Sequence, residues 1–196
     1  PGIEDINISD NRFIEIGQNP TQFWTDHSTI YVHGAATGVI RIQDNLFRAA
    51  TDGHFYGATT AIETHGSYHI VTGNVVQGFQ TGANITGVQR NDAQVNVVAN
   101  NDFDVMNFGI QIWSCPYNPG HIFSGYGIDG LKISDNVIRI RNGSFVSTTS
   151  NMGISFNGQS NLPFKNVTID GNIIEYDQQD DVGWTDQSTQ YAIGWI

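Results

Sequence analysis

The stretch ISDNVI, residues 133–138, decides the fold, because its pattern recurs along the chain. An apolar residue is followed three positions later by asparagine, and a second apolar residue stands two positions beyond it. The other copies are ISDNRF (8–13), IQDNLF (42–47), VTGNVV (71–76), VANNDF (98–103) and IDGNII (169–174). Their asparagines, Asn11, Asn45, Asn74, Asn101, Asn136 and Asn172, stand 27 to 36 residues apart. A repeat of this length is typical of a solenoid.

A second pattern follows each copy of the first. Its members are TIYVHG (29–34), AIETHG (61–66), GANITG (82–87), GIQIWS (109–114), GISFNG (153–158) and AIGWI (192–196). Apolar and polar residues alternate with period two, and no stretch sustains a helical apolar stripe. Crossovers between parallel strands are right-handed in nearly all proteins. The sequence therefore predicts an all-β chain, a right-handed parallel β-helix of about six coils with two strands in each, as a single domain over 1–196 that is a fragment of a longer protein.

The asparagines have a predicted structural role. We expect them to stack at a bend of each coil where the backbone adopts a left-handed conformation, which asparagine tolerates. Stacked asparagine side chains also form hydrogen bonds along the axis of the stack.

Composition excludes several functional classes. The 196 residues include 19 acidic and 8 basic side chains, a net charge of −11. Nucleic acids and anionic membrane surfaces attract clustered Lys and Arg, so neither is an expected partner. No apolar run approaches the ~20 residues of a membrane span, so no membrane insertion is expected. The single cysteine, Cys115, has no partner for an internal disulfide, and we expect it to be inert.

Alignment of the six second patterns predicts an inward apolar set and an outward polar face. Neighbouring coils lie ~4.8 Å apart, so the outward residues form two columns along the axis. One column contains Tyr31, Glu63, Asn84, Gln111 and Ser155, and the other His33, His65, Thr86, Trp113 and Asn157. The connectors that enter these strands are long in the first two repeats and short in the next two. This arrangement predicts a groove across the face.

Glycoside hydrolysis is the leading predicted chemistry of this face. It uses two carboxyl groups, ~5–5.5 Å apart for retention or ~6.5–9.5 Å for inversion of configuration. We expect Glu63 to act as acid or base, Asp52 as the second carboxyl, and His65 and His54 as orienting groups. The predicted substrate-binding residues are Tyr31, His33, Asn84, Gln111 and Trp113.

Two other interpretations of the same residues remain open. One is an exposed acid–imidazole pair without chemistry, and the other is a metal site formed by His33, Glu63, His65, Asp52 and His54. No metal-ligand motif occurs in the chain, so neither a metal nor another cofactor is expected. A lyase is less favoured, because Arg41 and Lys132 belong to the first strand and face away from the groove.

The repeats resemble those of the pectin-lyase-like β-helix superfamily, and most closely those of bacteriophage tailspikes and neck appendages. The resemblance covers the whole chain and depends on the repeat pattern. THG (64–66) and RIR (139–141) are similar to two motifs of the polygalacturonase branch, whose two aspartate motifs are missing here. The resemblance implies a virion-tail or extracellular protein, expected to be a homotrimer, that binds and hydrolyses a cell-surface polysaccharide or teichoic acid. The alternatives are a non-catalytic receptor-binding module and a structural segment of a trimeric fibre.

Overall fold

The computed structural model describes residues 5–16, 28–32, 38–50, 60–66, 68–87, 96–114, 127–141, 151–158, 164–177 and 190–195. These residues are all-β and include no helix. No helix long and apolar enough to cross a membrane occurs within these ranges.

Sixteen strands form two parallel sheets in this part of the chain. The six-stranded sheet has the order β1 (Ile6–Ser9), β4 (Val39–Gln43), β7 (Tyr68–Thr72), β9 (Asn96–Ala99), β11 (Ile128–Ser134) and β14 (Phe164–Asp170). The ten-stranded sheet contains β2 (Arg12–Ile16), β3 (Ser28–Val32), β5 (Leu46–Ala49), β6 (Thr60–His65), β8 (Val75–Thr86), β10 (Asp102–Trp113), β12 (Val137–Arg141), β13 (Asn151–Asn157), β15 (Ile173–Asp177) and β16 (Gln190–Trp195). Sequence-equivalent strands pair in parallel, which is compatible with a β-helix.

The prediction of two strands per repeat was wrong. The asparagine pattern straddles a bend, with one strand before it in the six-stranded sheet and another after it in the ten-stranded sheet. We call the segments after the bend the post-asparagine strands: β2, β5, Val75–Phe79 of β8, Asp102–Val105 of β10, β12 and β15. The segments of the second pattern are the second strands: β3, β6, Thr81–Thr86 of β8, Phe108–Trp113 of β10, β13 and β16.

The asparagine ladder is confirmed. From Asn45 to Asn172, each side-chain oxygen accepts hydrogen bonds from the main-chain N–H and the side-chain amide of the preceding asparagine, at 2.8–3.1 Å. The left-handed residue, however, is the one before each asparagine, not the asparagine itself. These residues are Asp10, Asp44, Gly73, Asn100, Asp135 and Gly171, with φ between 55° and 68°. All three residue types adopt this conformation at low cost.

The core consists of inward columns that continue from repeat to repeat. Ile42, Val71, Val98 and Ile133 occupy equivalent positions before the bend and are fully buried. After the bend, Phe13 and Phe47 stack with ring centroids 4.8 Å apart. Like residues therefore pack on like residues along the stack.

A column of small residues lets the second strands lie close to the post-asparagine strands. A Cβ atom on Gly109 would lie 2.3 Å from Ile138 and 2.6 Å from the carbonyl oxygen of Gly153. Gly82 and Gly153 are equally confined. Glycine is required here by close approach, since larger residues would force the strands apart.

Candidate functional site

The predicted register of the second strands is confirmed throughout the described residues. One outward column runs through consecutive partners Tyr31, Glu63, Asn84, Gln111, Ser155 and Gly194. The other runs through His65, Thr86, Trp113 and Asn157. We call the surface formed by these two columns the second-strand face.

The predicted inward set is also confirmed for most of its members. Ile30, Val32, Ile62, Thr64, Ala83, Ile85, Ile110, Ile112, Ile154 and Phe156 are buried. Ile193 is instead 49% exposed, because β16 pairs only with β13 among the described strands.

Glu63 and His65 form a direct contact on this face. Nε2 of His65 lies 2.7 Å from Oε1 of Glu63, and the two side chains are only 15% and 13% exposed. Oε2 of Glu63 accepts a hydrogen bond from the Ser28 hydroxyl. Both carboxylate oxygens are therefore engaged, so the orientation of the carboxylate is fixed. The pair is therefore mostly buried rather than exposed, and whether it has a chemical role stays a prediction.

Ser28 was missed by sequence reasoning. The predicted columns place together only residues that are register partners on adjacent strands. In that register Tyr31 is the partner of Glu63, and Ser28 is the partner of Thr60. Contact between Ser28 and Glu63 depends on the glutamate side chain, which reaches three positions back along the neighbouring strand. Register alone gives no signal for such a diagonal contact.

Aromatic and amide side chains surround the Glu63–His65 pair. Tyr31 is 53% exposed and meets the His65 ring edge-on, with centroids 5.4 Å apart. Trp113 is 40% exposed. Between the two aromatic residues, Asn84 and Gln111 are half-buried. The face thus offers two aromatic surfaces with hydrogen-bonding amides between them.

The second-strand face is not open along its whole length. Ser155 is fully buried, and its hydroxyl has no hydrogen-bond partner among the described residues. Thr86 is also buried, with its hydroxyl 3.4 Å from Oδ1 of Asn84. Both residues belong to the predicted outward columns, but neither is exposed to solvent.

Three predicted site residues, His33, Asp52 and His54, lie outside the described residues, as do the connectors expected to form the groove walls. Among the residues that are described, Glu63 is the only carboxylate on the second-strand face. A two-carboxyl site is therefore not assembled by this part of the chain. Arg41 and Lys132 lie on β4 and β11 of the six-stranded sheet, apart from the face.

His69 is a second histidine near the site, also missed by sequence reasoning. Its ring is fully buried, and neither ring nitrogen forms a well-aligned hydrogen bond with another described residue. Burial lowers the pKa of His69 to about 4, opposed by the nearby main chain of Gly87, and positive charge on His65 lowers it slightly further. His69 is therefore neutral at physiological pH and belongs to the interior.

The post-asparagine strands hold a separate charged cluster. Arg139 lies 2.7 Å from Asp102 and 3.2 Å from Glu175, and Arg141 forms a bidentate pair with Asp104. With Tyr176, four of these residues line a cavity of about 350 Å³. Each arginine here bridges repeats by binding a carboxylate, so the contacts serve stacking.

No group of three His, Cys, Asp or Glu side chains arranged to hold a metal ion occurs in the described ranges. Comparisons with protein-family models, with curated proteins and with solved structures found no match to the chain. The resemblance to pectin-lyase-like proteins therefore stays a prediction.

Proposed function

We propose that the protein binds a cell-envelope glycan along the second-strand face. The observation that carries this proposal is the pair of exposed aromatic residues, Tyr31 and Trp113, on one face with amide side chains in register between them. The two residues are three repeats apart, which is ~14 Å at ~4.8 Å per strand. Aromatic rings provide flat apolar surface for sugar rings, and amides provide hydrogen bonds to hydroxyl groups. The glycan would run along the stack.

Substitution of the aromatic residues tests this proposal. Trp113→Ala should abolish glycan binding, measured by calorimetry against polysaccharides purified from cell envelopes. Ile173→Ala is the matched control, because Ile173 is also an exposed apolar side chain, but on a post-asparagine strand. Equal affinities of Trp113→Ala and the unsubstituted chain would refute the proposed face.

Hydrolysis of the same glycan is a second candidate function. It is supported by the Glu63 carboxylate, which His65 and Ser28 hold in one orientation in a mostly buried position. A pre-oriented carboxylate suits acid–base catalysis. In this candidate mechanism Asp52 supplies the second carboxyl and His54 a further orienting group.

The hydrolytic candidate is tested by Glu63→Gln. The amide retains the size of the side chain and an oxygen that accepts from Ser28, so thermal stability should be nearly unchanged. Release of new reducing ends or of phosphate should disappear while binding remains. Unchanged product release would remove Glu63 from the mechanism, and absence of product from the unsubstituted chain would leave the binding function alone.

The finer architecture and the biological setting are part of the same proposal. The parallel register supports a right-handed β-helix of about six coils, because parallel crossovers are almost always right-handed. The repeat pattern supports a phage tailspike or appendage, in a virion or outside a cell, that binds a polysaccharide or teichoic acid as a homotrimer. Analytical ultracentrifugation tests the trimer. A structural fibre segment would instead bury the second-strand face between subunits and bind no glycan.

A further inference from the structure

The basic residues are distributed unevenly over the surface. Seven of the eight lie in the described ranges, and none of these seven is on a second strand. Three belong to the six-stranded sheet and four to post-asparagine strands: Arg41, Lys132 and Lys165, and Arg12, Arg48, Arg139 and Arg141. The eighth, Arg90, lies outside the described residues. All the connectors together can therefore add at most one Lys or Arg side chain to the second-strand face.

Several of the arginines also have partners of their own. Arg139 and Arg141 are held by carboxylates, and Arg48 donates to the side chain of Gln77 at 3.2 Å. These contacts fix the guanidinium groups on the post-asparagine strands. They are consequently not free to turn toward a ligand on another face.

The second-strand face itself bears a carboxylate. Glu63 is a hydrogen-bond acceptor at both oxygens, and the remaining groups of the face are amides, hydroxyls, an imidazole and aromatic rings. Proteins bind carboxylates, sulfates and phosphates mainly through Arg, Lys or clustered N–H donors. The net charge of −11 adds a repulsive field for any polyanion that approaches.

We propose that the glycan bound by this face carries no net negative charge, being neutral or amine-bearing. This inference rests on the proposed function and narrows it, since it selects against teichoic acids, uronate polymers and sulfated glycans. Amine groups on a sugar would instead be attracted by Glu63 and by the net negative charge of the chain.

Polysaccharides of three charge classes test the inference with the full chain. We expect binding only among neutral and amine-bearing polymers. The neutral probes are glucans, mannans and galactans, and the amine-bearing probe is partially deacetylated chitin. Teichoic acid and polygalacturonate should not bind. Carboxymethylation of a bound neutral polymer should weaken binding at least tenfold at about 10 mM salt, and this difference should shrink near 150 mM, where charges are screened beyond about 8 Å.

Two variants with the same change in net charge sharpen the test. Gln111→Lys places a cation on the second-strand face, whereas Thr168→Lys places one on the exposed surface of β14. Only Gln111→Lys should recover binding of the carboxymethylated polymer. Equal recovery by both variants would show that overall charge, not the composition of this face, governs selection, and would overturn the inference.

Different results would refute the charge inference and the proposed glycan-binding function. Binding of a polyanion that weakens with added salt and is lost in Trp113→Ala would refute the charge inference while confirming the glycan-binding face. Absence of binding in all three classes, or binding insensitive to Trp113→Ala, would refute the proposed function and this inference with it.

Discussion

Removal of one central rung of the asparagine ladder should destabilise the protein far more than removal of a terminal rung. The side chain of Asn74 is fully buried and forms five hydrogen bonds. Its amide donates to two main-chain oxygens and to the next asparagine, and its oxygen accepts twice from Asn45. The side chain of Asn11, at the first rung, is exposed and only donates, to Ser9 and Asn45.

The magnitude follows from the number of bonds lost. At about 1 kcal/mol for each, the five bonds of Asn74 correspond to roughly 5 kcal/mol, and the buried Asn45 N–H that loses its acceptor costs about 1–3 kcal/mol within that total. Allowing for water that enters the space, Asn74→Ala should cost about 3–5 kcal/mol and Asn11→Ala about 1 kcal/mol. For a chain of this size each kcal/mol lowers the melting temperature by about 2–4 °C.

Thermal unfolding followed by circular dichroism measures both variants. Asn74→Ala should lower the melting temperature by about 10 °C, and Asn11→Ala by no more than about 4 °C. Asn74→Asp is the matched control, since it keeps both the size and the acceptor oxygen but loses the donor and buries a charge. Equal effects of Asn74→Ala and Asn11→Ala, or an Asn74→Asp variant as stable as the unsubstituted chain, would refute the role assigned to the buried ladder.

Three further predictions concern the interior and the charged cluster. The pKa of His69 is 6.5 in the unfolded chain and about 4 in the native protein, so the native state binds fewer protons than the unfolded state between these pH values. The free energy of unfolding should therefore decrease by up to about 3 kcal/mol as pH falls through that range. His69→Leu should remove this pH dependence of stability, which is measured as melting temperature against pH. Parallel curves for the variant and the unsubstituted chain would contradict the role given to His69. Gly109→Ala should cost about 1–3 kcal/mol in denaturant unfolding, because the new Cβ overlaps Ile138, and an unchanged midpoint would refute the close approach. A double-mutant cycle on Asp104 and Arg141 should give a coupling energy of about 1 kcal/mol or less that weakens with added salt, because Arg141 is half-exposed. A coupling energy that does not change with salt would contradict the description of this ion pair as solvent-screened.

The register of the second strands was predictable because two sequence patterns agree: the alternation of apolar and polar residues, and the spacing of the repeated asparagines. Apolar residues of the second strands alternate with polar ones, and each strand follows an asparagine that marks the same point of the repeat. A shift of one residue would have placed Glu63 in the interior and Ile62 in solvent, which costs too much free energy to occur. Sequence reasoning therefore placed Glu63 next to Tyr31 and Asn84, and the structure confirms both pairs.

The bend between the first two strands was harder to place. Its left-handed residue is aspartate, glycine or asparagine in every repeat, as at Asp44, Gly73 and Asn100. These types share a tolerance for positive φ, which is the available signal. The stacked asparagine next to each of them has the same tolerance, so composition favoured both positions equally. Only the hydrogen bonds of the asparagine side chain distinguish the two.

The contacts of Ser28 and His69 could not be predicted for a different reason. Ser28 meets Glu63 across register, so the contact depends on rotamers, which a repeat pattern does not fix. Period two does place His69 on the inward side of β7, in register with Ile40. Histidine nevertheless appears polar in the pattern, which gives no signal that this side chain is fully buried.

The three outward surfaces of the stack carry different side chains, and the glycan-binding proposal depends on this difference. On the post-asparagine strands, Arg139 and Arg141 bind carboxylates of other repeats, so these outward residues hold the stack together. On the six-stranded sheet, the outward column mixes single charges, uncharged polar groups and aliphatic side chains: Asn7, Arg41, Ile70, Val97, Lys132 and Thr168. The second-strand face has one carboxylate, Glu63, which contacts His65 and Ser28 of the neighbouring strand, and it also carries exposed aromatic rings. Exposed apolar side chains also occur on the post-asparagine strands, at Ile14 and Ile173, but among the described residues only the second-strand face combines exposed aromatic rings with amides between them, and the glycan-binding proposal depends on that combination.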